Sequence, residues 1–187
     1  LMKMLPGMTV INPCDFSQTK AATKAISKIN GPVYLRFGRP KVPNFTSYSI
    51  DFEIGKGIKL IEGNDVTIIA TGHLVWEALE AEKELSKLGI SAEVINIHTI
   101  KPLDKDIVLK SATKTNCIVS CEEHNIIGGL GESISRVLVN NFVCPMEFVG
   151  VKDKFGESGS PSELMEKYGL NSKNIIEKCK KVISRKS

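Results

Sequence analysis

The stretch VTIIATGHLVWEALEAEKELSKLGISAEVINI, residues 66–97, decides the fold class. VTIIA (66–70) is a short apolar run rich in β-branched residues and predicts a strand. VWEALEAEKELSKL (75–88) places apolar residues at helical spacing and stops at Gly89, which predicts a helix with a glycine C-cap. AEVINI (92–97) returns to a strand pattern. A strand, a helix and a second strand in close succession form a βαβ crossover, which is right-handed and makes a parallel pair.

The same alternation continues on both sides. Downstream, DKDIVLKSAT (104–113) is predicted as a helix capped by Asp104, CIVSC (117–121) as a strand, GESISRVLVNN (131–141) as a helix and MEFVG (146–150) as a strand. Ser160-Pro161-Ser162-Glu163 combines a capping box with proline at the first helical position, and that helix stops at Gly169. A last amphipathic helix carries Ile175, Ile176, Cys179, Val182 and Ile183 on one face. Upstream, MTVINP (8–13) and PVYLRF (32–37) read as strands around a helix at 17–29, which starts at Asp15 with Gln18 three residues on and ends at Asn30-Gly31. Residues 38–57 hold two prolines and three glycines with no sustained period and read as a linker. The pattern predicts an α/β protein with a mainly parallel sheet.

Composition narrows the function classes. With 187 residues, 42% hydrophobic and 25% charged, the chain has ordinary globular composition. No apolar run approaches the roughly 20 residues that span a bilayer, and the opening LMKMLPGMTV lacks the h-region of a signal peptide. Five cysteines (Cys14, Cys117, Cys121, Cys144, Cys179) are an odd number, and the expectation is free thiols in a reducing cytoplasm. The net charge of +4 is modest and its densest basic run is the tail KCKKVISRKS (178–187), so neither nucleic acid nor a membrane is expected as partner. The chain opens on Leu1 and enters a strand pattern almost at once, which reads as a chain begun in mid-domain.

One stretch concentrates reactive side chains: CEEHNIIGGLGES, 121–133. Cys121, Glu122, Glu123 and His124 are consecutive and cannot converge on one metal ion from an extended backbone. Cys117 and Cys121 share a strand face but lie roughly 13 Å apart at about 3.3 Å per residue, too far for one zinc ion. Gly128, Gly129 and Gly131 resemble a phosphate turn, but Ile134 stands where G-x-G-x-x-G needs glycine. The simpler reading is a tight turn that lets a helix pack close to the sheet. A Glu122 or Glu123 carboxylate beside His124 suits acid/base work at a strand end and equally suits an interface hydrogen bond, so the Glu123–His124 pair is assigned to a domain or subunit contact. His73 follows the first strand-to-helix turn, where it can cap, contact an anion or face solvent. His98 lies in NIHTIKPLD, read as a loop. Trp76 and Met165 are at core spacing. Arg39, in RFGRP, closes a strand in a turn from which a guanidinium can reach a phosphate or a neighbouring carboxylate.

Taken together, these segments resemble the transketolase family. LPGMTVINPCDFSQTKAATKAISKINGPVYLRFGRP (5–40) is similar to the end of that family's pyrimidine-binding domain, and DVTIIATGHLVWEALEAEKELSKLGISAEVINIHTIKPLD (65–104) to the start of its C-terminal domain. EEHNIIGGLGESI (122–134) and VGVKDKFGESGSPSELMEKYGL (149–170) resemble the segments that follow, the latter carrying the FGxSG pattern. Deoxyxylulose-phosphate synthases and 2-oxo-acid dehydrogenase β subunits share the EEH…GG turn but not the DKFGESG run.

The resemblance implies a three-layer α/β C-terminal domain at 58–187, with a mostly parallel five-stranded mixed sheet and flanking helices. A linker at 38–57 and a β-α-β remnant of the pyrimidine-binding domain at 1–37 precede it. It implies two-carbon ketol transfer between sugar phosphates, with thiamine diphosphate as electron sink and a divalent ion, Mg or Ca. The family's cofactor-binding, metal-binding and catalytic residues match nothing in residues 1–187; one residue carries over, Arg39, as a ligand of the substrate phosphate. The implied partners are the N-terminal part of a transketolase, on the same or a separate chain, and a homodimer-type assembly in the cytoplasm. Two rivals stand beside this reading: a section of a related thiamine-diphosphate enzyme, and a non-catalytic dimerisation or anion-binding module. The remnant is expected to be propped by the C-terminal domain or a second copy, because two strands with an open edge do not stand alone.

Overall fold

The computed structural model describes residues 1–38, 41–46 and 52–186. After a 3-10 turn at Met2–Met4, the elements run β1 (Thr9–Ile11), α1 (Phe16–Ile26), β2 (Val33–Leu35), β3 (Ile58–Ile61), β4 (Val66–Ala70), α2 (Leu74–Lys87), β5 (Ala92–Asn96), β6 (Thr99–Lys101), α3 (Lys105–Thr115), β7 (Ile118–Asn125), α4 (Leu130–Asn141), β8 (Met146–Val151), α5 (Pro161–Lys167) and α6 (Ser172–Ile183).

Five strands form the main sheet in the order β3-β5-β4-β7-β8. β4 pairs in parallel with β5 and β7, β7 with β8, and only the edge strand β3 is antiparallel. Every residue of β4 and β5 is buried, as expected of central strands covered on both faces. One face packs Val66, Ile68, Val94 and Val119 against Leu74, Ala78 and Leu85 of α2 and Ile175, Cys179 and Val182 of α6. The other packs Ile69, Ile95 and Ile118 against Val108 and Ala112 of α3 and Ile134 and Leu138 of α4. The result is the three-layer, mostly parallel mixed sheet that the sequence pattern and the family resemblance called for.

The helix ends show why these segments stop where they do. The Ser160 hydroxyl and Glu163 carboxylate form the expected capping box, with Pro161 at the first helical position. Asp104 Oδ1 accepts from the Ile107 amide at 3.2 Å while its Oδ2 accepts from the Gly57 amide at 2.9 Å, so one carboxylate caps α3 and pins the chain entering β3. Asp15 caps α1 by accepting from the Gln18 amide at 2.8 Å. The Gln18 side chain does not close a box on Asp15; its Oε1 accepts from the Cys14 amide at 2.9 Å. The helix ends at Ile26 rather than near Asn30.

Residues 1–37 are held to the larger unit by strand pairing that the sequence did not announce. β1 and β2 are parallel, completing the β-α-β unit, and β1 also pairs antiparallel with β6. β6 belongs to the segment after β5, so the larger unit lends a third strand in the order β2-β1-β6. The Asn12 amide donates to His98 O at 2.8 Å. Lys101 Nζ donates to Leu5 O at 2.6 Å, and Arg36 Nη2 donates to Glu123 O at 2.7 Å. Phe45 and Thr46, in the intervening chain, are strapped down as well: Asp15 Oδ2 accepts from the Phe45 and Thr46 amides at 2.9 and 2.6 Å, and the Phe45 ring lies 5.7 Å from Trp76 of α2.

All five cysteines are free; Cys14, Cys117, Cys121 and Cys179 are buried. Among the described residues no helix is long and apolar enough to cross a membrane.

Candidate functional site

In the main sheet the chain leaves β4 for β5 on one side and reaches β7 on the other. Such a reversal opens a crevice outside the carboxyl ends of the two strands, where open α/β sheets bind ligands. Here the crevice is bounded by the turn after β4 (Thr71, Gly72, His73), by the end of β7 with its glycine turn, and by Asn12 and Arg36, just beyond the ends of β1 and β2.

Glu122 is the central acid of this region and is 3% exposed. Its Oε2 accepts from the Leu130 amide at 2.7 Å and its Oε1 from the Gly131 amide at 2.9 Å. The glycine turn therefore does form an anion-binding helix N-terminus, and the protein fills it with its own carboxylate. This is why residue 129 is glycine: a Cβ there would lie 2.1 Å from Glu122 Oε2. Burial pushes the Glu122 carboxyl up to about 7, outweighing the two amide bonds and the charges of Lys3 and Arg36.

The expected Glu123–His124 pair is not the one that forms. Residues two apart share a strand face, so His124 sits over Glu122, its Nδ1 3.8 Å from Oε2. That is too long for a hydrogen bond. His124 Nδ1 donates instead to Asn125 O at 2.7 Å, which fixes the proton on Nδ1 and leaves Nε2 free. Glu123 meets the small unit through its backbone, as the acceptor of the Arg36 bond.

A cavity of about 410 Å³ opens beside Glu122, lined among others by Lys3, Asn12, Tyr34, Arg36, Thr71 and Leu130. Lys3 Nζ donates to Gly129 O at 2.7 Å and Ser133 Oγ at 2.9 Å. A second cavity of about 620 Å³ adjoins it across Asn12 and Arg36 and is lined by Asp15, Lys41, His73 and Glu123. This charge pattern can hold an anion. It contains no activated thiol, since burial raises Cys14, Cys117, Cys121, Cys144 and Cys179 alike.

Arg39, the phosphate ligand expected from sequence, lies outside the described residues; Gly38 and Lys41 beside it line the second cavity. His73 sits at the N-cap of α2 without a side-chain capping bond. His98 is not in an exposed loop but fully buried, its ring 4.1 Å from that of Phe52 and its Nδ1 3.0 Å from Thr99 Oγ1. Burial lowers its pKa to about 4. Asn12, Lys3 and Arg36 escaped sequence reasoning, although Asn12 and Arg36 are the first polar residues after apolar strand runs, the position where such crevices take their ligands.

Among the described residues there is no group of three or more His, Cys, Asp and Glu side chains able to hold a metal ion. The amides of Leu130 and Gly131, the helix N-terminus of the glycine turn, are taken by Glu122. The described residues do not fit thiamine diphosphate and its metal.

Residues 55–175 match the family described as transketolase, C-terminal domain. The 6-deoxy-6-sulfo-D-fructose transketolase subunit of Clostridium sp. strain MSTE9 is 45% identical over 187 residues, covering all of this chain and 58% of that protein. The 1-deoxy-D-xylulose-5-phosphate synthase 1 of Geobacter sulfurreducens is 34% identical, covering 93% of this chain and 28% of that protein. A solved structure described as split gene transketolase, inactive beta4 tetramer, superposes with a TM-score of 0.97 at 44% identity, covering 100% of this chain and 61% of that one. The chain thus spans somewhat over half the length of the transketolase proteins it matches.

Proposed function

Since the chain belongs to the transketolase C-terminal domain family, we propose that it is the C-terminal section of a transketolase that works only when joined to the remaining part. That part, on the same or a separate polypeptide, holds thiamine diphosphate and its divalent metal. The whole transfers a two-carbon ketol unit between sugar phosphates in the cytoplasm, where free thiols such as these stay reduced. The division of the chain is 1–37 as the end of the pyrimidine-binding domain, 38–57 as linker and 58–187 as C-terminal domain, within a homodimer-type assembly.

The observation that carries this reading is the end-to-end likeness to split gene transketolase at a TM-score of 0.97. The outer edge of β2, unpaired among the described residues, supports it, because an open strand edge beside exposed Phe16 and Phe37 calls for covering structure. Identity of 45% to a transketolase subunit, against 34% to a deoxyxylulose-phosphate synthase, favours ketol transfer over the synthase reaction.

Calorimetry on residues 1–187 alone should show no saturable binding of thiamine diphosphate, and sugar phosphates should not be turned over. Ketol transfer should appear when the polypeptide carrying the cofactor segment is added. Saturable cofactor binding by the chain alone would sink the proposal. In the assembled enzyme, Arg39→Ala should raise KM for the sugar phosphate by about tenfold or more while kcat changes less, the signature of lost uniform binding. An unchanged KM removes Arg39 from the substrate site.

A further inference from the structure

Phe155 is 99% exposed, a large apolar side chain standing wholly in solvent. The loop that carries it, between β8 and α5, is nevertheless tied down. Near its start Asn125 Nδ2 donates to Asp153 Oδ1 at 3.3 Å. Further on, the Tyr168 hydroxyl donates to Glu157 Oε1 at 2.8 Å and lies 3.1 Å from Phe155 O. Lys167 Nζ holds the other Glu157 oxygen at 2.7 Å. The ring is thus presented outward from a fixed backbone, so little loop entropy is left to lose when it is covered. Four residues on, Gly159 lines a cavity of about 330 Å³ whose walls are mainly apolar, from Val151, Leu164, Met165 and Leu170. Tyr168 lines it too, so the residue that anchors the Phe155 loop is also part of the cavity. Glu123 brings a carboxylate to this cavity, and among the described residues that carboxylate makes neither a salt bridge nor a hydrogen bond. Lys152 and Lys154, on the Phe155 loop, likewise make no salt bridge among the described residues.

We propose that this face is a contact between two copies of the chain, in which Phe155 of each copy enters the cavity of about 330 Å³ on the other. A two-fold contact needs knob and socket on one surface patch, so that each meets the other's counterpart across a single axis. Phe155 and Gly159 in one short loop meet that need. A buried aromatic ring in a fitted apolar pocket is the usual anchor of such interfaces. The charges agree as well: the loop that lends Phe155 carries Lys152 and Lys154 toward a cavity that holds the unpaired Glu123 carboxylate. Within one copy the ring stays out of the cavity, because the bonds of Tyr168 and Lys167 hold the loop with Phe155 in solvent. The inference rests on the homodimer-type assembly proposed above and names one of its surfaces; it does not depend on the reaction.

Photo-crosslinking in the assembled enzyme, with a benzophenone-bearing phenylalanine analogue at position 155, tests the pairing directly. Mixed isotope-labelled and unlabelled copies should give links between copies that map to residues 159–170. Links within one copy, links to the part that holds the cofactor, or no links at all overturn the proposal. Sedimentation velocity of residues 1–187 supplies the strength of the contact. Phe155→Ser should weaken self-association by about a hundredfold, because one substitution removes both anchors of a symmetric contact. Its melting temperature as a dissociated chain should match the parent's, as for any exposed side chain. Lys152→Glu combined with Lys154→Glu should weaken the contact by about tenfold and reverse its salt dependence. Undiminished association of Phe155→Ser overturns the proposal while leaving the homodimer-type assembly to another surface. A single copy in the assembled enzyme overturns both.

Discussion

Replacing Glu122 by glutamine is expected to turn a flat pH–stability profile into a steep one. In the parent protein two buried groups work against each other. The Glu122 carboxyl is raised from 4.5 to about 7, so its stabilising contribution is full below pH 4.5 and is lost as pH rises through 7. The His98 imidazole is lowered from 6.5 to about 4, so its contribution is full above pH 6.5 and is lost as pH falls through 4. Between pH 4.5 and 6.5 the native state holds one extra proton on Glu122 and lacks one on His98 relative to the unfolded chain, and the two slopes cancel.

Glu122→Gln leaves His98 unopposed, and stability should fall by about 3 kcal/mol from pH 6.5 to pH 4.5, at about 1.4 kcal/mol per pH unit. His98→Asn should give the opposite slope, with stability falling by a similar amount as pH rises from 4.5 toward 7. Urea midpoints at half-unit pH intervals read both. Glu93 and Glu147, buried but held below the usual carboxylate range by their lysine partners, titrate beneath this window and do not obscure it. A Glu122→Gln profile as flat as the parent's would show that the carboxyl titrates at its ordinary value despite its burial.

Gly63→Ala carries the other large expected effect. Gly63 lies in the turn between β3 and β4, where an added Cβ would stand 2.1 Å from the Ala92 carbonyl carbon and 2.2 Å from the Glu93 nitrogen. Both are backbone atoms of β5 and cannot swing away as a side-chain tip could. The turn is also bolted to that strand: Asp65 N donates to Ser91 O at 2.8 Å, and Ser91 N to Asp65 Oδ2 at 2.7 Å. Relief must come from shifting the edge of the sheet, at a cost of about 3 kcal/mol or more. For a chain of this size that lowers the melting temperature by roughly 6–12 °C, which thermal unfolding followed by circular dichroism measures. A drop of less than 2 °C would mean that the turn and β5 do not pack as closely as described.

The parts of the fold legible in sequence are those where one physical signal acts alone. β4, α2 and β5 follow from period and a closing glycine, α3 from Asp104, and α5 from a capping box with Pro161. The segments that escaped are strands whose identity comes from their neighbours. Ile58–Ile61, at the start of the C-terminal domain, carries no strand prediction and Thr99–Lys101 reads as a loop, because three or four residues at a sheet edge carry little periodic signal and are specified by pairing. The polar residues Glu122–Asn125 ended the predicted strand early, although β7 continues through them.

The same limit governs the site. Sequence order put Glu123 beside His124, whereas strand geometry puts Glu122 there. No pattern along the chain could show that Glu122 would turn into the amides of Leu130 and Gly131, or that Asn12 would stand above Gly72. These are encounters between elements that sequence separates by 8 to 60 positions.

β6 gives the molecule an unusual relation between inheritance and cohesion. A boundary drawn along the chain at residue 57 divides it into an end piece and a domain, yet the hydrogen-bonded ladder crosses that boundary, because β1 is completed by a strand encoded some 90 residues later. Connectivity is therefore not what keeps the two units together. Recombination that exchanged one unit without the other would have to preserve the match of Val10 with Lys101 and of Ile11 with Thr99, so the two units are constrained to travel together.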